Sequence, residues 1–525
     1  MRKPTPIELA YHFFITRWAL WIAVIVFVLF KLPALHYLFY WDESWSYEPA
    51  IKLMYHHGPS LMPNAIDTNF SRGHPLLFYF SVAAWMKLFG PQAISQHAFS
   101  LTVFVLLIIT VYEVCRHFFN ERTALLSLAI VPLQAILFVQ STMMLPEIML
   151  ALLALLSICF YIKKKYFLTF FFLSATMLTK ESGMVIGLLL GIDSTIRLFN
   201  NNYLLKDRAY NFLSVLFASF VIIGFFVLQK ALNGWFLFPE HIGLISFKWE
   251  HCWGAIKCAL GVLFINDART HLYQVVIFFA LMTTIQTRKI KFLLPVLIAL
   301  LVYMCVNEVY DDIPRQVITF ILVIAVWAMS AQMLSFTTKE QKSTKQFIRI
   351  GTAYLIAYVA FCSINFYTER YTISALIISV IFTAYYLDRM IAMYYDPIFI
   401  IVIVIIILTG QYSINNSKEV HKTFDGMAVQ KDIVDHMKMN NYYNEIITAG
   451  SYQDVVHLGD INTGYLDSTN FKHVTWSIND QTQIIIFNNI EKDYRYAEVL
   501  KDTSFKLVYR SAHGEIWGEI YKRKQ

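Results

Sequence analysis

Charge placed at the edge of apolar sequence is the feature of this chain best suited to chemistry. Asp42 and Glu43 follow directly on the first long apolar run and are ringed by Trp41, Trp45 and Tyr47. A carboxylate just above the hydrocarbon that stays ionised can take the proton of an attacking hydroxyl, which is worth roughly 10²- to 10⁴-fold in rate. Neighbouring side chains diverge by about 100° on a helix and alternate on a strand, so the two acids cannot converge on one proton. One is then a base and the other an orienting partner; the competing reading is an acidic pair that simply caps a helix exit. Glu147, after Pro146 at the start of a later apolar run, has two readings as well. The helix dipole favours an acid in a first turn, yet an acid at the hydrocarbon border usually faces protein or water. Lys180 and Glu181 interrupt an otherwise apolar stretch from Tyr166 to Ile192. A lysine at mid-bilayer costs roughly 2.5–3.5 kcal/mol, so the pair belongs at a turn between two short helices. There it brings a cation to the acids or serves as plain loop.

A second set of groups is basic. Arg72 and His74 lie in Ser71-Arg72-Gly73-His74-Pro75-Leu76, a turn that leads into an aromatic-rich amphipathic helix. An arginine facing the headgroup layer binds phosphate or merely snorkels. Arg315 and Arg370 open two later spans, with Asp311, Asp312 and Glu369 close by to neutralise them. A leaving group that carries phosphate needs charge stabilisation more than protonation, and guanidinium forks supply it.

The elements that must hold these groups are membrane helices. Of the 525 residues, 57% are hydrophobic and 15% charged, whereas a soluble domain carries about 25% charged residues. Apolar runs near the roughly 20 residues needed to cross a bilayer recur up to about residue 411. They predict about thirteen spans, near 17–40, 92–116, 122–140, 145–162, 166–179, 182–198, 210–230, 271–287, 292–308, 316–334, 347–364, 371–388 and 396–411. With a cytoplasmic N-terminus, the clusters Arg116/Arg122, Lys163–Lys165, Arg288/Lys289/Lys291 and Lys339–Arg349 all fall inside, as the positive-inside bias requires. The odd count then puts the tail outside, together with two long loops at about 42–91 and 232–270 and the charged helix ends described above.

The first run is too long for a signal-peptide core and reads as a retained anchor. The net charge of +7 is dispersed in clusters between apolar runs, which argues for membrane topology and against a nucleic-acid partner. Cys252 and Cys258 share a polar loop and are the cysteine pair placed for a disulfide; no zinc-type CxxC spacing occurs. Residues 412–525 have soluble composition and read as a small α/β domain, with strands at 445–449, 483–487, 505–509 and 515–521 and helices near 424–439 and 496–501. The predicted fold is therefore a polytopic α-helical membrane domain, residues 1–411, followed by an α/β domain, residues 412–525.

Several motifs in this order resemble the GT-C glycosyltransferases, in particular the protein O-mannosyltransferase and aminoarabinose (lipid A) transferase group. They are the acidic pair Asp42-Glu43 after the first helix, His74-Pro75-Leu76 late in the first loop, and Pro146-Glu147 opening the fourth helix. Thr179-Lys180 at a turn and Arg370-Tyr371 opening a late helix complete the set. The resemblance covers the membrane region to about residue 390. It implies transfer of a sugar from a polyprenyl-phosphate donor to a protein, lipid or glycan acceptor at the extracytoplasmic face, with inversion, in a bacterial inner membrane. On it, Asp42 is the base and Glu147 a second catalytic acid. Lys180, Arg370 and Arg72 hold the donor phosphate; apart from the resemblance, Glu43, His74, Glu181, Arg315 and Tyr371 are further candidates for lining the substrate. The chain departs from the aminoarabinose transferases in having Arg72-Gly73-His74-Pro75-Leu76 where those carry Glu-Lys-Pro-Pro, which removes the family lysine. Some relatives use a divalent metal, for which Asp42, Glu43 and Glu147 are the candidate ligands here.

Two other classes compete. A transporter or flippase would place ionisable groups near the bilayer midplane and show inverted repeats, and neither is apparent. A lipid-linked glycan polymerase or ligase would carry its dominant long loop, rich in arginine, late in the chain, whereas here an early loop carries the acids. If the glycosyltransferase reading is right, Asp42, Glu147, Lys180 and Arg370 line one outward cavity.

Overall fold

The apolar runs become helices, and the protein is an integral membrane protein with multiple spans. The computed structural model describes residues 6–524 except 201–203, 267, 308–320, 322–331, 333–341, 366, 395–396 and 491–492. Among the described residues, six stretches are long and apolar enough to cross a membrane: Arg17–His36, Ala93–Phe118, Leu205–Asn233, Lys342–Ile364, Glu369–Ile391 and Ile398–Asn415. Leu77–Phe89, Glu147–Ile162, Tyr166–Thr179 and Leu294–Val306 are shorter apolar helices. The span predicted at 316–334 lies outside the described residues.

One helix organises the bundle. Ile373–Ile391 is buried on all sides, with 94% of its apolar window inside the protein, as expected of a helix that is hydrophobic all round. It packs on Glu121–Ile130, Glu147–Ile162 and Lys342–Ile364, and its C-terminal end is fixed by Asp388, which accepts from Asn120 (2.8 Å) and Arg122 (3.0 Å). Its other end carries Arg370. Glu147–Ile162 also packs on Ala93–Phe118 and Tyr166–Thr179, so the acid at its first turn points into the same region as Arg370.

One expectation changes in detail. The single helix predicted at 122–140 is broken into Glu121–Ile130, a 3-10 turn Val131–Leu133 and Ala135–Gln140, because Pro132 lacks an amide hydrogen and clashes with the preceding turn. The amphipathic helix Leu77–Phe89 buries Phe78, Tyr79, Val82, Ala83 and Met86 against Glu48–His57 and Ala93–Phe118. Leu88 and Phe89 at its C-terminal end stay exposed.

The C-terminal sheet has five strands: β1 Ile446–Ala449, β2 His473–Thr475, β3 Ile484–Asn488, β4 Phe505–His513 and β5 Ile516–Arg523. Their order is β2-β1-β3-β5-β4, with β1 parallel to β2 and β3, and β5 antiparallel to β3 and β4. β3 is buried on both faces. Ile484 and Ile486 pack with Val429 and Ile433 of the helix Lys418–Met439, while Ile485 and Phe487 pack with Val499, Phe505 and Tyr521. β2 was not foreseen; three residues at a sheet edge leave little periodic signal. Gly514 takes φ +54° in the tight β4–β5 connection, a conformation that costs glycine least.

The sheet domain touches the loop that follows the first helix. The His457 ring bonds the Phe39 carbonyl oxygen at 3.2 Å and the Tyr40 hydroxyl donates to the Lys422 carbonyl at 3.2 Å. Gly426 permits this contact, since a Cβ there would lie 2.5 Å from the Tyr40 oxygen. Cys252 and Cys258 occupy one helix, Trp249–Leu260, and both thiols are free.

Candidate active site

The chain leaves its first span through Trp41, held at φ +54°, an uncommon backbone state for a bulky side chain. This bend starts the single wide turn Glu43–Tyr47 and leaves Asp42 at its N-cap. Asp42 is ion-paired with Arg370, which sits on the 3-10 turn Glu369–Thr372 at the mouth of the central helix. Arg370 also lies 3.4 Å from Glu147, and Glu147 accepts from the Lys180 ammonium at 2.8 Å. The Tyr371 ring supports both cations, with the Lys180 nitrogen 3.9 Å from its centroid and the Arg370 guanidinium 5.4 Å.

The result is a relay, Asp42–Arg370–Glu147–Lys180, in which two carboxylates alternate with two cations. Such alternation matters because Glu147 and Lys180 are only 2% and 8% exposed, and a buried charge without its partner is destabilising. Burial alone would pull the Lys180 ammonium down, but the Glu147 carboxylate beside it more than offsets that and raises it above the ordinary lysine value.

A cavity of about 630 Å³ opens against this relay. Asp42, Arg72, His74, Lys180, Arg370 and Tyr371 are on its wall, together with Glu181. Three of the four residues expected to share one cavity therefore do so. Glu147 is behind the wall and reaches the cavity through Lys180 and Arg370. Glu43, expected to touch substrate, is not on the wall either: its carboxylate is fully buried and accepts from the backbone amides of Tyr40 (3.1 Å) and Met144 (2.5 Å), with the His97 ring at 3.4 Å. The neighbour geometry of the pair explains the split, since adjacent side chains leave the backbone in different directions. Arg315 lies outside the described residues.

Arg72 is in the left-handed region at φ +48° and places its guanidinium 4.7 Å from the Trp45 ring centroid. His74 Nδ1 lies 2.8 Å from both Glu181 oxygens. Burial pushes the Glu181 carboxyl up, but the facing His74 outweighs it and holds the acid below its ordinary value. His241, from the 232–270 loop, joins them on the cavity wall, and burial lowers its imidazole to about 4. Nothing in its local sequence marked His241, nor His97 behind Glu43. Asp42, Glu43 and Glu147 are each engaged by cations or amides, and among the described residues the groups gathered at metal-ligand spacing are instead His74, Glu181 and His241.

A second cavity, about 720 Å³, meets the first at Trp41, Thr368 and Arg370. It lies between the membrane helices and Lys418–Met439, and Gln140, Asn266, Asn416 and Lys422 are on its wall.

The model of the dolichyl-phosphate-mannose-protein mannosyltransferase family matches residues 16–238, which carry Asp42, Arg72, His74, Glu147, Lys180 and Glu181. No curated protein matches the chain. Among solved structures the fold is similar to ArnT from Cupriavidus metallidurans bound to undecaprenyl phosphate, at 12% identity and a TM-score of 0.53, over 95% of this chain and 97% of that one. The apo state of the same protein gives 12% identity and a TM-score of 0.52 over the same shares. The archaeal oligosaccharyltransferase AglB from Archaeoglobus fulgidus, in complex with an inhibitory peptide and a dolichol-phosphate, gives 12% and 0.46, over 85% of this chain and 63% of that one.

The fold is thus similar to that of ArnT over nearly the whole chain, with Asp42, Arg72, Lys180 and Arg370 on the wall of one cavity.

Proposed function

We propose that the protein transfers a single sugar, with inversion, from its polyprenyl-phosphate donor to a hydroxyl of a protein or glycan acceptor at the extracytoplasmic face, with Asp42 as general base. The observation that carries this is the placement of Asp42 on the wall of one cavity with Arg72, Lys180 and Arg370. An acid and three cations are the set that a hydroxyl nucleophile and a phosphate leaving group require.

In this reading the donor headgroup enters the 630 Å³ cavity, and its phosphate draws on Arg370, which relaxes the Arg370–Asp42 pair. Asp42 then accepts the proton of the acceptor hydroxyl as that oxygen attacks the anomeric carbon. The bond from this carbon to the phosphate oxygen breaks, and polyprenyl phosphate leaves against Arg370, Lys180 and Arg72. Attack opposite the leaving group inverts the anomeric centre. Glu147 touches no substrate; it fixes the two cations. Glu43 ties the Asp42 loop to Met144 and His97. An apolar groove of about 490 Å³ along Met184–Leu198 shares Met184 with the donor cavity and takes the start of the isoprenoid. The acceptor approaches through the second cavity, whose amides and hydroxyls can exchange hydrogen bonds with polar chains.

The topology that serves this chemistry is the thirteen-span one with a cytoplasmic N-terminus. It puts the Asp42 loop, the 232–270 loop and the domain from residue 412 on the outer side of a bacterial inner membrane. The test is turnover by purified protein on a panel of polyprenyl-phosphate sugars, comparing wild type with Asp42→Asn. Loss of turnover with retained donor binding supports the base; full turnover by the asparagine variant removes it.

A further inference from the structure

We propose that His457 is a positioning residue of the active site: with the helix Lys418–Met439 it clamps the bend at Phe39–Trp41, and that clamp sets where the Asp42 carboxylate stands on the cavity wall. Every residue from 37 to 41 touches the C-terminal domain. The Tyr37 and Phe424 ring centroids are 4.8 Å apart, Leu38 packs against the core of the sheet domain, and the His457 ring bonds the Phe39 carbonyl oxygen at 3.2 Å. The Tyr40 hydroxyl donates to the Lys422 carbonyl at 3.2 Å, and the Lys422 ammonium stands 5.5 Å from the Trp41 ring centroid. The helix that carries His457, Tyr452–Gly459, also packs on the turn Glu43–Tyr47. Asp42 therefore has the domain against the chain on both sides of it.

The bend needs such a hold. Trp41 at φ +54° is in a state that a bulky residue seldom adopts, and one that persists only where the surroundings over-determine it. From the membrane side the bend is held by Glu43, which accepts from the Tyr40 amide and is itself tied to Met144 and His97. From the other side it is held by the domain. Without the second hold Trp41 can relax to an ordinary backbone state, and the next residue, Asp42, turns away from Arg370.

His457 is built for this bond. It is 1% exposed and stacks on Tyr465, with centroids 3.9 Å apart. A carbonyl oxygen can only accept, so the imidazole donates to Phe39 from Nε2; its Nδ1 has no hydrogen-bond partner among the described residues. Burial lowers this imidazole to about 3, so it stays neutral and the bond is indifferent to pH near neutrality. An apolar residue here would leave a buried carbonyl without a donor, which a native structure avoids.

The role of Asp42 as base rests on the function proposed above; the clamp does not. The test compares full-length wild type in detergent with His457→Phe, His457→Gln and Tyr40→Phe. His457→Phe keeps a ring on Tyr465 and loses the donor. Its kcat should fall about tenfold, the scale of bias that one strained backbone residue stores, while affinity for undecaprenyl phosphate stays equal or rises. Amide hydrogens of residues 37–47 should exchange faster. His457→Gln returns an N–H donor and should recover most of both effects; a loss as large as that of His457→Phe overturns the bond as the cause. Tyr40→Phe should lower kcat a few-fold with the same exchange signature, and it carries the test if His457→Phe does not fold. Asp432→Asn loosens the far side of the domain, where Asp432 accepts from Ser511 at 2.6 Å and meets the His513 ring at 2.8 Å. It should keep wild-type kcat, and an equal fall there would reduce His457 to a structural role. Wild-type kcat in both His457→Phe and Tyr40→Phe overturns the clamp. Full turnover by Asp42→Asn, with faster exchange at 37–47 in His457→Phe, would sink the base and leave the clamp.

Discussion

The two cavities that meet at Trp41 and Arg370 have walls of different kinds. On one side Arg72, Lys180 and Arg370 stand among aromatic and aliphatic groups such as Trp45, Phe238 and Tyr358. On the other, Gln140, Asn266, Ser413, Asn416 and Thr423 supply neutral donors and acceptors beside the charged Glu369, Lys418 and Glu419, with Lys422 5.5 Å from the Trp41 ring centroid. The first wall suits an anion on an apolar carrier and the second a polar chain. Both walls carry charge, but on the first it stands among apolar groups, where a drier, lower-dielectric setting makes it worth more. One arginine belongs to both walls and touches the proposed base. The site is organised around the boundary shared by Trp41, Thr368 and Arg370, and substitutions on either side of it decide whether it separates donor from acceptor.

The largest effect is expected at Asp42. Asp42→Asn should lower kcat by roughly 10²- to 10⁴-fold while leaving affinity for polyprenyl phosphate equal or higher, because Arg370 loses its competing carboxylate. Calorimetric binding together with steady-state kinetics checks both halves. A variant that loses donor affinity and keeps kcat would put Asp42 on the wrong side of the boundary.

Glu147→Gln comes next and separates positioning from contact. It strips the carboxylate from Lys180 and Arg370 in a buried setting, where breaking an ion pair costs about 3–5 kcal/mol. The melting temperature in detergent should therefore fall clearly, unlike that of Asp42→Asn. Charge-neutral Glu147→Gln/Lys180→Met should recover part of the stability and none of the donor affinity. If the single variant melts like wild type, the relay does not hold the wall together.

The polar wall gives a smaller, kinetic effect. Lys422→Ala removes a cation over Trp41, an interaction of about 0.5–1 kcal/mol at exposed sites. Acceptor KM should rise a few-fold with donor KM unchanged. A change confined to the donor would reverse the assignment of the two cavities.

Hydropathy alone singled out Asp42, Glu147, Lys180, Glu181 and Arg370, because each interrupts or borders an apolar run. What it could not supply was pairing. Arg370 has Glu369 beside it in sequence, yet its ion-pair partner Asp42 is 328 positions away, a match made only by packing of the central helix. Glu43 looked equivalent to Asp42 until burial against Met144 and His97 separated them. His241 stayed invisible because its place on the cavity wall depends on Gly73 admitting a distant loop, and a glycine reveals such an approach only once both backbones are placed. In the C-terminal domain, alternation found four strands, and β2, three residues long, was too short to show a period.

The smallest effect tests how the outer rim of this boundary is held. Glu48, at the start of the helix Glu48–His57, is fully buried, with the Lys52 ammonium at 2.5 Å and Asp460 of the sheet domain 3.7 Å beyond it. Burial pushes its carboxyl up to about 7 from an ordinary 4.5, with Lys52 opposing the shift and Asp460 adding to it. Between these values the unfolded chain ionises Glu48 and the folded one does not, so this group's contribution to stability falls as pH rises through the window and levels off above it. Glu48→Gln cannot ionise and removes that slope. Lys52 remains able to pair with Asp460. The variant should thus gain on wild type in melting temperature from pH about 4.5 to about 7 and keep the gain at higher pH. Melting curves across that range decide it. A wild-type-to-variant difference that does not change with pH would mean Glu48 stays ionised in the folded protein, and the rim would then be held by a charged triad instead of a protonated acid.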